Sequence, residues 1–174
     1  MKPRALIERD GFIEVPLTKG LTAKINYTDR PLIERWSWCA RLRKNGRAYA
    51  ARGTRASSGK FVQVYMHRCI LGLRAGDRIG VDHINGDGLD NRRSNIRPSN
   101  QSQNLANQKV KKHSSLYKGV TWDARKHRWA ARIKVNRKMI NLGRFWDETD
   151  AASAYNNAAN KYFGCFAKLN EITR

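Results

Sequence analysis

Acidic residues are scarce in this chain: 14 Asp and Glu stand against 35 Lys and Arg, a formal net charge of +21 over 174 residues. Such a chain repels itself and concentrates polyanions, so a nucleic acid or another acidic partner is the first expectation. Cysteine is also scarce, with Cys39, Cys69 and Cys165 widely spaced, odd in number and without a Cys-x-x-Cys pair. That excludes a disulfide framework and gives no cysteine cage for structural zinc; reduced, mostly buried thiols are expected. No apolar run approaches the ~18 residues that span a bilayer, and the apolar stretch behind Met1-Lys2-Pro3-Arg4 is too short for a signal peptide. No membrane partner is expected, and a cytoplasmic setting is. The 40% hydrophobic content suits small cores rather than one large one and argues against wholesale disorder.

The first hundred residues read as β-rich. Phe12–Leu17, Ala23–Tyr27 and Phe61–Tyr65 alternate as strands do. Trp36–Ala40 and Ala48–Ala51 flank Asn45-Gly46, a favoured hairpin pair, and Ser57-Ser58-Gly59 marks another turn. Met66–Leu71 reads as a short helix ending at Gly72. Residues 107–115 are polar and basic without apolar period; they read as a linker lying along phosphates or as a solvated loop. Beyond them a β-β-β-α pattern is expected: strands at Tyr117–Trp122, Trp129–Val135 and Lys138–Phe145, then a helix. Asp147 caps that helix in a capping-box-like arrangement with Asp150, Ala151, Ala154, Tyr155, Ala158 and Tyr162 form its apolar face, and Gly164 ends it.

The most informative stretch runs from Gly80 to Asn107. Val81 begins a short strand carrying Asp82 and His83; Asn85 to Asn91 is a loop by composition; Ser99 reads as an N-cap, which puts Asn104 on a helix. A strand–loop–strand–helix finger brings Asp82 and Asn104 together as hard oxygen ligands suited to Mg2+ or Mn2+. His83 points to the other side of the strand, where it serves as a base near pH 7. A divalent ion, a neutral imidazole and the arginines Arg92, Arg93 and Arg97 are the parts of phosphodiester hydrolysis. By composition and spacing alone, a turn with a satisfied histidine describes the same residues equally well.

This stretch resembles the HNH nuclease motif, in particular that of phage-type HNH homing endonucleases. The Asp82-His83 pair, Asn95 twelve residues after the histidine and Asn104 nine residues later carry the resemblance. It implies a ββα-metal finger in which His83 activates water, Asp82 and Asn104 hold the metal, and Asn95 holds the loop and helps orient the base. The third letter of the motif is Asn104 here rather than His, which favours Mg2+ over zinc. Met66-His67-Arg68 resembles a segment of the family that packs against the finger, and His67 reads as structural.

Residues 117–169 resemble the APETALA/ethylene-response-factor DNA-binding domain. The carrying residues are Tyr117-Lys118-Gly119-Val120, Trp129 to Ile133, Asn141-Leu142-Gly143-Arg144-Phe145 and Ala151 to Ala159. The resemblance implies a sheet with a helix on one face and duplex DNA on the other. Alternation agrees: Trp129, Ala131, Ile133 and Val135 share one face, Arg132 and Lys134 the opposite one. Trp122, Trp129 and Phe145 read as core. Lys118, Thr121, Asp123 and Asn141 stand where the plant family has arginines and tryptophans, so the plant target sequence is not carried over. Lys118, Thr121 and Asn141, with Arg125, Arg132, Lys134, Lys138 and the linker lysines Lys109, Lys111 and Lys112, are the expected DNA contacts.

The expected fold is α+β. Residues 1–108 form a β-rich scaffold with the HNH finger at about 78–108; 109–116 form a basic linker, 117–169 the DNA-binding domain and 170–174 a tail. The expected activity is site-directed, metal-dependent nicking of double-stranded DNA by a monomer, with a dimer as the alternative, in the host-cell cytoplasm if phage-encoded. The rival is a non-cleaving, sequence-specific DNA-binding regulator with a decayed nuclease site. Structured RNA is a second rival, and no RNP-like aromatic motif favours it.

Overall fold

The computed structural model describes residues 2–56, 58–74, 76–108 and 114–172. The chain is α+β, built of small antiparallel sheets and few helices, and it divides into two compact units, Met1–Ser99 and Asn100–Arg174. No helix among the described residues is long and apolar enough to cross a membrane.

In the first unit, strands β1 (Ile7–Arg9), β2 (Phe12–Pro16) and β3 (Thr22–Ile25) form a meander. Alternation along β2 and β3 buries Ile13, Val15, Ala23 and Ile25 on one face. A short helix α1 (Arg30–Ile33) follows. The strand expected at Trp36–Ala40 instead begins later, as β4 (Cys39–Leu42), because Trp38 is buried with its indole Nε1 donating to Ile33 O at 3.0 Å. Strands β4, β5 (Ala48–Arg55) and β6 (Phe61–Tyr65) form a second meander. Its first hairpin closes with Arg43 N donating to Arg47 O (2.8 Å) and Gly46 N to Arg43 O (2.9 Å), with Gly46 at φ 78°. Ala56, Gly59 and Lys60 repeat this pattern at the second turn; Ser57 lies outside the described residues. Helix α2 (Met66–Ile70) ends at Gly72, then β7 (Gly80–His83) pairs with β8 (Ile96–Ser99). Ile13, Ile25, Ile33, Trp38, Met66 and Ile96 belong to one core that ties these pieces together.

The second unit opens with helix α3 (Gln101–Ala106). Its N-cap is Asn100, not the expected Ser99: Asn100 Oδ1 accepts from Gln103 N (2.9 Å), and Gln103 Oε1 accepts from Asn100 N (2.8 Å), a complete capping box. Ser99 is spent as the last residue of β8. Strands β9 (Val120–Asp123), β10 (Arg128–Val135) and β11 (Lys138–Phe145) form one sheet in the order β11-β10-β9, and α4 (Glu148–Phe163) packs on it. Tyr117 to Gly119 stay outside β9, unlike the expected strand. Asp147 stands at the N-cap of α4 but its side chain makes no cap bond, so the capping-box-like arrangement with Asp150 is not formed. Ala151, Ala152, Tyr155 and Ala159 are the buried residues of α4; Tyr162, expected on that face, is 42% exposed. Trp122, expected in the core, is 42% exposed and stands edge-on to Trp129. Of the cysteines, Cys39 and Cys69 are half-buried and Cys165 is exposed, contrary to the expectation of mostly buried thiols.

Candidate functional site

Asp82 and His83 end β7, opposite Arg97 and Ile96 of β8. Both are buried. Asp82 Oδ2 accepts from Arg97 Nε (2.9 Å) and Nη2 (2.7 Å), so this carboxylate sits opposite a cation. The chain then turns at Gly86 (φ 78°) and runs through a loop closed by its own polar side chains. Asn85 Oδ1 accepts from Asp87 N (2.8 Å), and Asp87 Oδ1 from Leu89 N (2.9 Å). Asn95 closes the loop: its Oδ1 accepts from Asn85 N (3.0 Å) and its Nδ2 donates to Asp90 O (2.7 Å).

The loop is pinned to the scaffold as well. Lys24 N on β3 donates to Leu89 O, and Asn91 N donates back to Lys24 O, both at 2.8 Å. A Cβ added at Gly88 would lie 2.6 Å from the Tyr49 ring, so only glycine lets the loop approach β5 this closely. Residues 1–55 thus supply the bed on which the loop rests.

His83 Nε2 stands 3.4 Å from Asn91 Oδ1. Asn91 is fully buried, and its Nδ2 donates to Leu89 O (3.0 Å). The residue beside the histidine is therefore Asn91, which sequence reading did not single out; Asn95 shapes the loop from behind. Aromatic rings wall the other sides. The His67 ring is 5.1 Å away and nearly perpendicular, and Tyr49 is 5.9 Å away. Tyr65 stacks on His67 at 5.5 Å. Burial lowers the pKa of His83 below the usual 6.5, against the opposing pull of Asn91 and of Asp82, Asp87 and Asp90. His67, 9% exposed, is driven by burial down to about 3, with His83 and Arg68 adding to the shift. Both rings are neutral at pH 7.

The three arginines expected at DNA each face an aspartate of the chain itself. Arg92 forks onto Asp90 (2.8 and 2.7 Å), which holds that carboxyl below its usual range. Arg93 forks onto the fully buried Asp29 (2.7 Å at its shortest), and Arg97 onto Asp82. Asn104 lies on α3 in the second unit and is half-buried.

In the second unit the helix-free face of the sheet gathers Thr121, Arg132, Lys134 and Asn141, all exposed. Arg144 joins them and was missed. The register slips between Ala131 and Arg132, where Leu142 is the extra residue and Gly143 has φ 129°; this bulge turns Arg144 to the same face as Asn141. Simple alternation puts the two on opposite faces. Arg125 is exposed in a turn and Lys138 at the start of β11. Lys118 is elsewhere: its Nζ donates to Gln108 O (2.9 Å), Leu105 O (3.3 Å) and Ala106 O, the carbonyls that end α3. Burial, with Lys168 nearby, lowers its pKa to about 8. Lys109, Lys111 and Lys112 lie outside the described residues.

The chain is 28% identical over 160 residues to an uncharacterized HNH endonuclease of Acanthamoeba polyphaga mimivirus, covering 88% of this chain and 77% of the viral one. It is 33% identical over 101 residues, 58% of its length, to the AP2-like ethylene-responsive transcription factor TOE2 of Arabidopsis thaliana, and spans about 20% of that protein. No family model matches the chain. The distant viral likeness suggests a nuclease-type function.

Proposed function

We propose that this chain is a metal-dependent endonuclease of the HNH homing type, which hydrolyses one phosphodiester of duplex DNA and leaves a nick. The observation that carries the reading is the buried Asp82–His83 pair, with the imidazole kept neutral and fixed between Asn91 and the rings of Tyr49 and His67.

His83 is the general base. In the tautomer that donates Nε2–H to Asn91 Oδ1, Nδ1 is the basic nitrogen. It takes a proton from water as the oxygen attacks phosphorus; the bond to the 3′ oxygen breaks and that oxygen takes up a proton from solvent, giving the 5′-phosphate and 3′-hydroxyl ends that the resemblance implies. Asn95 and Asn91 hold the loop and the ring. Mg2+, with Mn2+ as its substitute, is proposed at the hard-oxygen ligands that the resemblance implies, Asp82 and Asn104; of these, Asp82 offers a buried carboxylate. When bound, the ion supplies charge stabilisation at the phosphate and the leaving oxygen. One such site in each chain makes a nick the expected product of a monomer. The open face of the second unit, with Arg132, Lys134 and Asn141, is assigned to the duplex.

The test is a supercoiled-plasmid assay on DNA containing the gene's own flanks, with Mg2+ or EDTA. Open circles that require both the ion and His83 support the reading. His83→Ala is expected to slow nicking by about 10²–10⁴-fold while binding is kept. Binding without cleavage in Mg2+ and in Mn2+ overturns it in favour of a non-cleaving regulator.

A further inference from the structure

The turn joining β4 to β5 carries three cations, Arg43, Lys44 and Arg47, none in an ion pair with a carboxylate of the described residues; of these, Arg43 and Lys44 border a groove. Arg92, Arg93 and Arg97, by contrast, each face an aspartate. Arg43 is nonetheless held in place. Its Nη2 donates to the Tyr65 hydroxyl (2.6 Å), which donates in turn to Gln63 Oε1 (3.0 Å), and its guanidinium lies 5.7 Å from the centre of the Tyr65 ring. Neutral partners fix the side chain and leave its full charge, so part of the ordering cost of binding an anion is already met.

These residues border a groove of about 700 Å³ whose walls include Arg43, Lys44, Asn45, Tyr49, Tyr65 and His67. The groove adjoins the candidate base: the rings of Tyr49 and His67 that line it also lie against His83. The His67 ring on the groove wall is 9% exposed, and its Nδ1 is buried with no hydrogen-bond partner among the described residues, which is costly for a polar atom.

We propose that this groove seats the sugar-phosphate backbone of bound duplex DNA next to the bond at His83, with Arg43 and Lys44 as its cationic contacts. The proposal rests on the nuclease reading and deepens it: it assigns the backbone grip of the first unit to the β4–β5 hairpin, not to the loop arginines. Tyr65 is a positioning residue acting through Arg43.

Phosphate ethylation interference tests it on the full chain carrying His83→Ala, bound to the duplex that the wild type nicks. Arg43→Ala with Lys44→Ala is expected to erase interference at phosphates flanking the nick and to weaken binding about tenfold or more. The slope of log affinity against log salt should fall by about 0.9 for each phosphate that is no longer neutralised. Arg43→Lys should restore the slope, and Tyr65→Phe should weaken binding while leaving the slope nearly intact. Arg43 and Lys44 are exposed, and thermal melting checks that the variants stay folded. An unchanged footprint and slope, with wild type still nicking, overturns the groove and spares the nuclease. Equal competition by duplex RNA also overturns it. A wild type that binds the duplex but cuts nothing overturns the nuclease reading instead, and the groove then stands or falls on whether Arg43→Ala with Lys44→Ala removes phosphates from the footprint.

Discussion

The two units treat polar groups in opposite ways. The first buries Asp29, His67, Asp82, His83, Asp90, Asn91, Asn95 and Ser99; among the described residues, the second buries only Ser115 of this kind. Burying such groups costs stability unless each finds a partner; the first unit offsets much of that cost with forked arginines and a loop laced by asparagines, and leaves His67 Nδ1 and Ser99 Oγ without a hydrogen-bond partner among the described residues. The second unit takes its stability from small residues of α4 pressed on a sheet, with Ala151, Ala152 and Ala159 nearly inaccessible, and leaves its cations in water. A rigid polar interior suits chemistry at a fixed point. A stable platform with a replaceable charged face suits recognition.

The contrast should break most visibly at Asp29. This carboxylate is inaccessible and holds Arg93, which also reaches Ile70 O. Asp29→Ala leaves that guanidinium without its partner and is expected to cost about 3 kcal/mol, less than a fully buried pair because Arg93 is half in water. Urea unfolding measures it. In the second unit, Asp123→Ala opens the Asp123–Arg144 pair at the surface and should leave the urea midpoint in place. Equal losses in the two variants would end the distinction between the units.

Acid gives the next largest effect. His67 has a folded-state pKa of about 3 against 6.5 when unfolded. As pH falls below 6.5 the unfolded chain takes up a proton that the folded one refuses, so stability is complete above that value and declines toward pH 3. At about 1.4 kcal/mol per pH unit, His67 alone accounts for a loss of about 2 kcal/mol between pH 6.5 and pH 5. His67→Phe should remove that share from the pH dependence measured by urea midpoints. An identical acid loss in wild type and variant would mean that the ring is not kept neutral by burial.

How much of this was legible in the sequence follows from the range of the forces involved. Alternation exposed β2, β3, β6, β10 and β11, because the side-chain period of a strand is local. Gly46 and Gly72 marked real turns for the same reason: a positive φ is a property of one residue. The spacing of Asp82, His83, Asn95 and Asn104 was visible, since residues of one loop are close in sequence. What surrounds them was not. Tyr49 and His67 reach His83 from other parts of the chain, and Arg93 finds Asp29 across 64 positions. The assignment of Arg92, Arg93 and Arg97 to DNA read their charge without their partners. Trp38 shifted a strand start because its indole needed a carbonyl, and the bulge at Leu142 reversed a parity that no composition rule records.

The smallest stability effect and the sharpest functional one should coincide on the open face of the second unit. Arg132 and Lys134 are exposed on β10, so Arg132→Ala with Lys134→Ala should change unfolding by under about 0.5 kcal/mol. Binding should respond more. If both touch phosphates, affinity falls alike for all sequences and the salt slope drops by about 0.9 for each phosphate released. If Arg132, paired across the sheet with Asn141, meets a guanine edge, discrimination at one base pair drops by about 1–3 kcal/mol while the slope barely moves. Selection of bound sequences from a random pool by wild type and by each single variant separates these outcomes. On the proposed mechanism, either one leaves the rate of cleavage at saturating DNA unchanged, because the proposed base, His83, belongs to the other unit. A slower reaction of fully bound DNA would mean that this face contributes to the chemistry, and the division of labour between the two units would not hold.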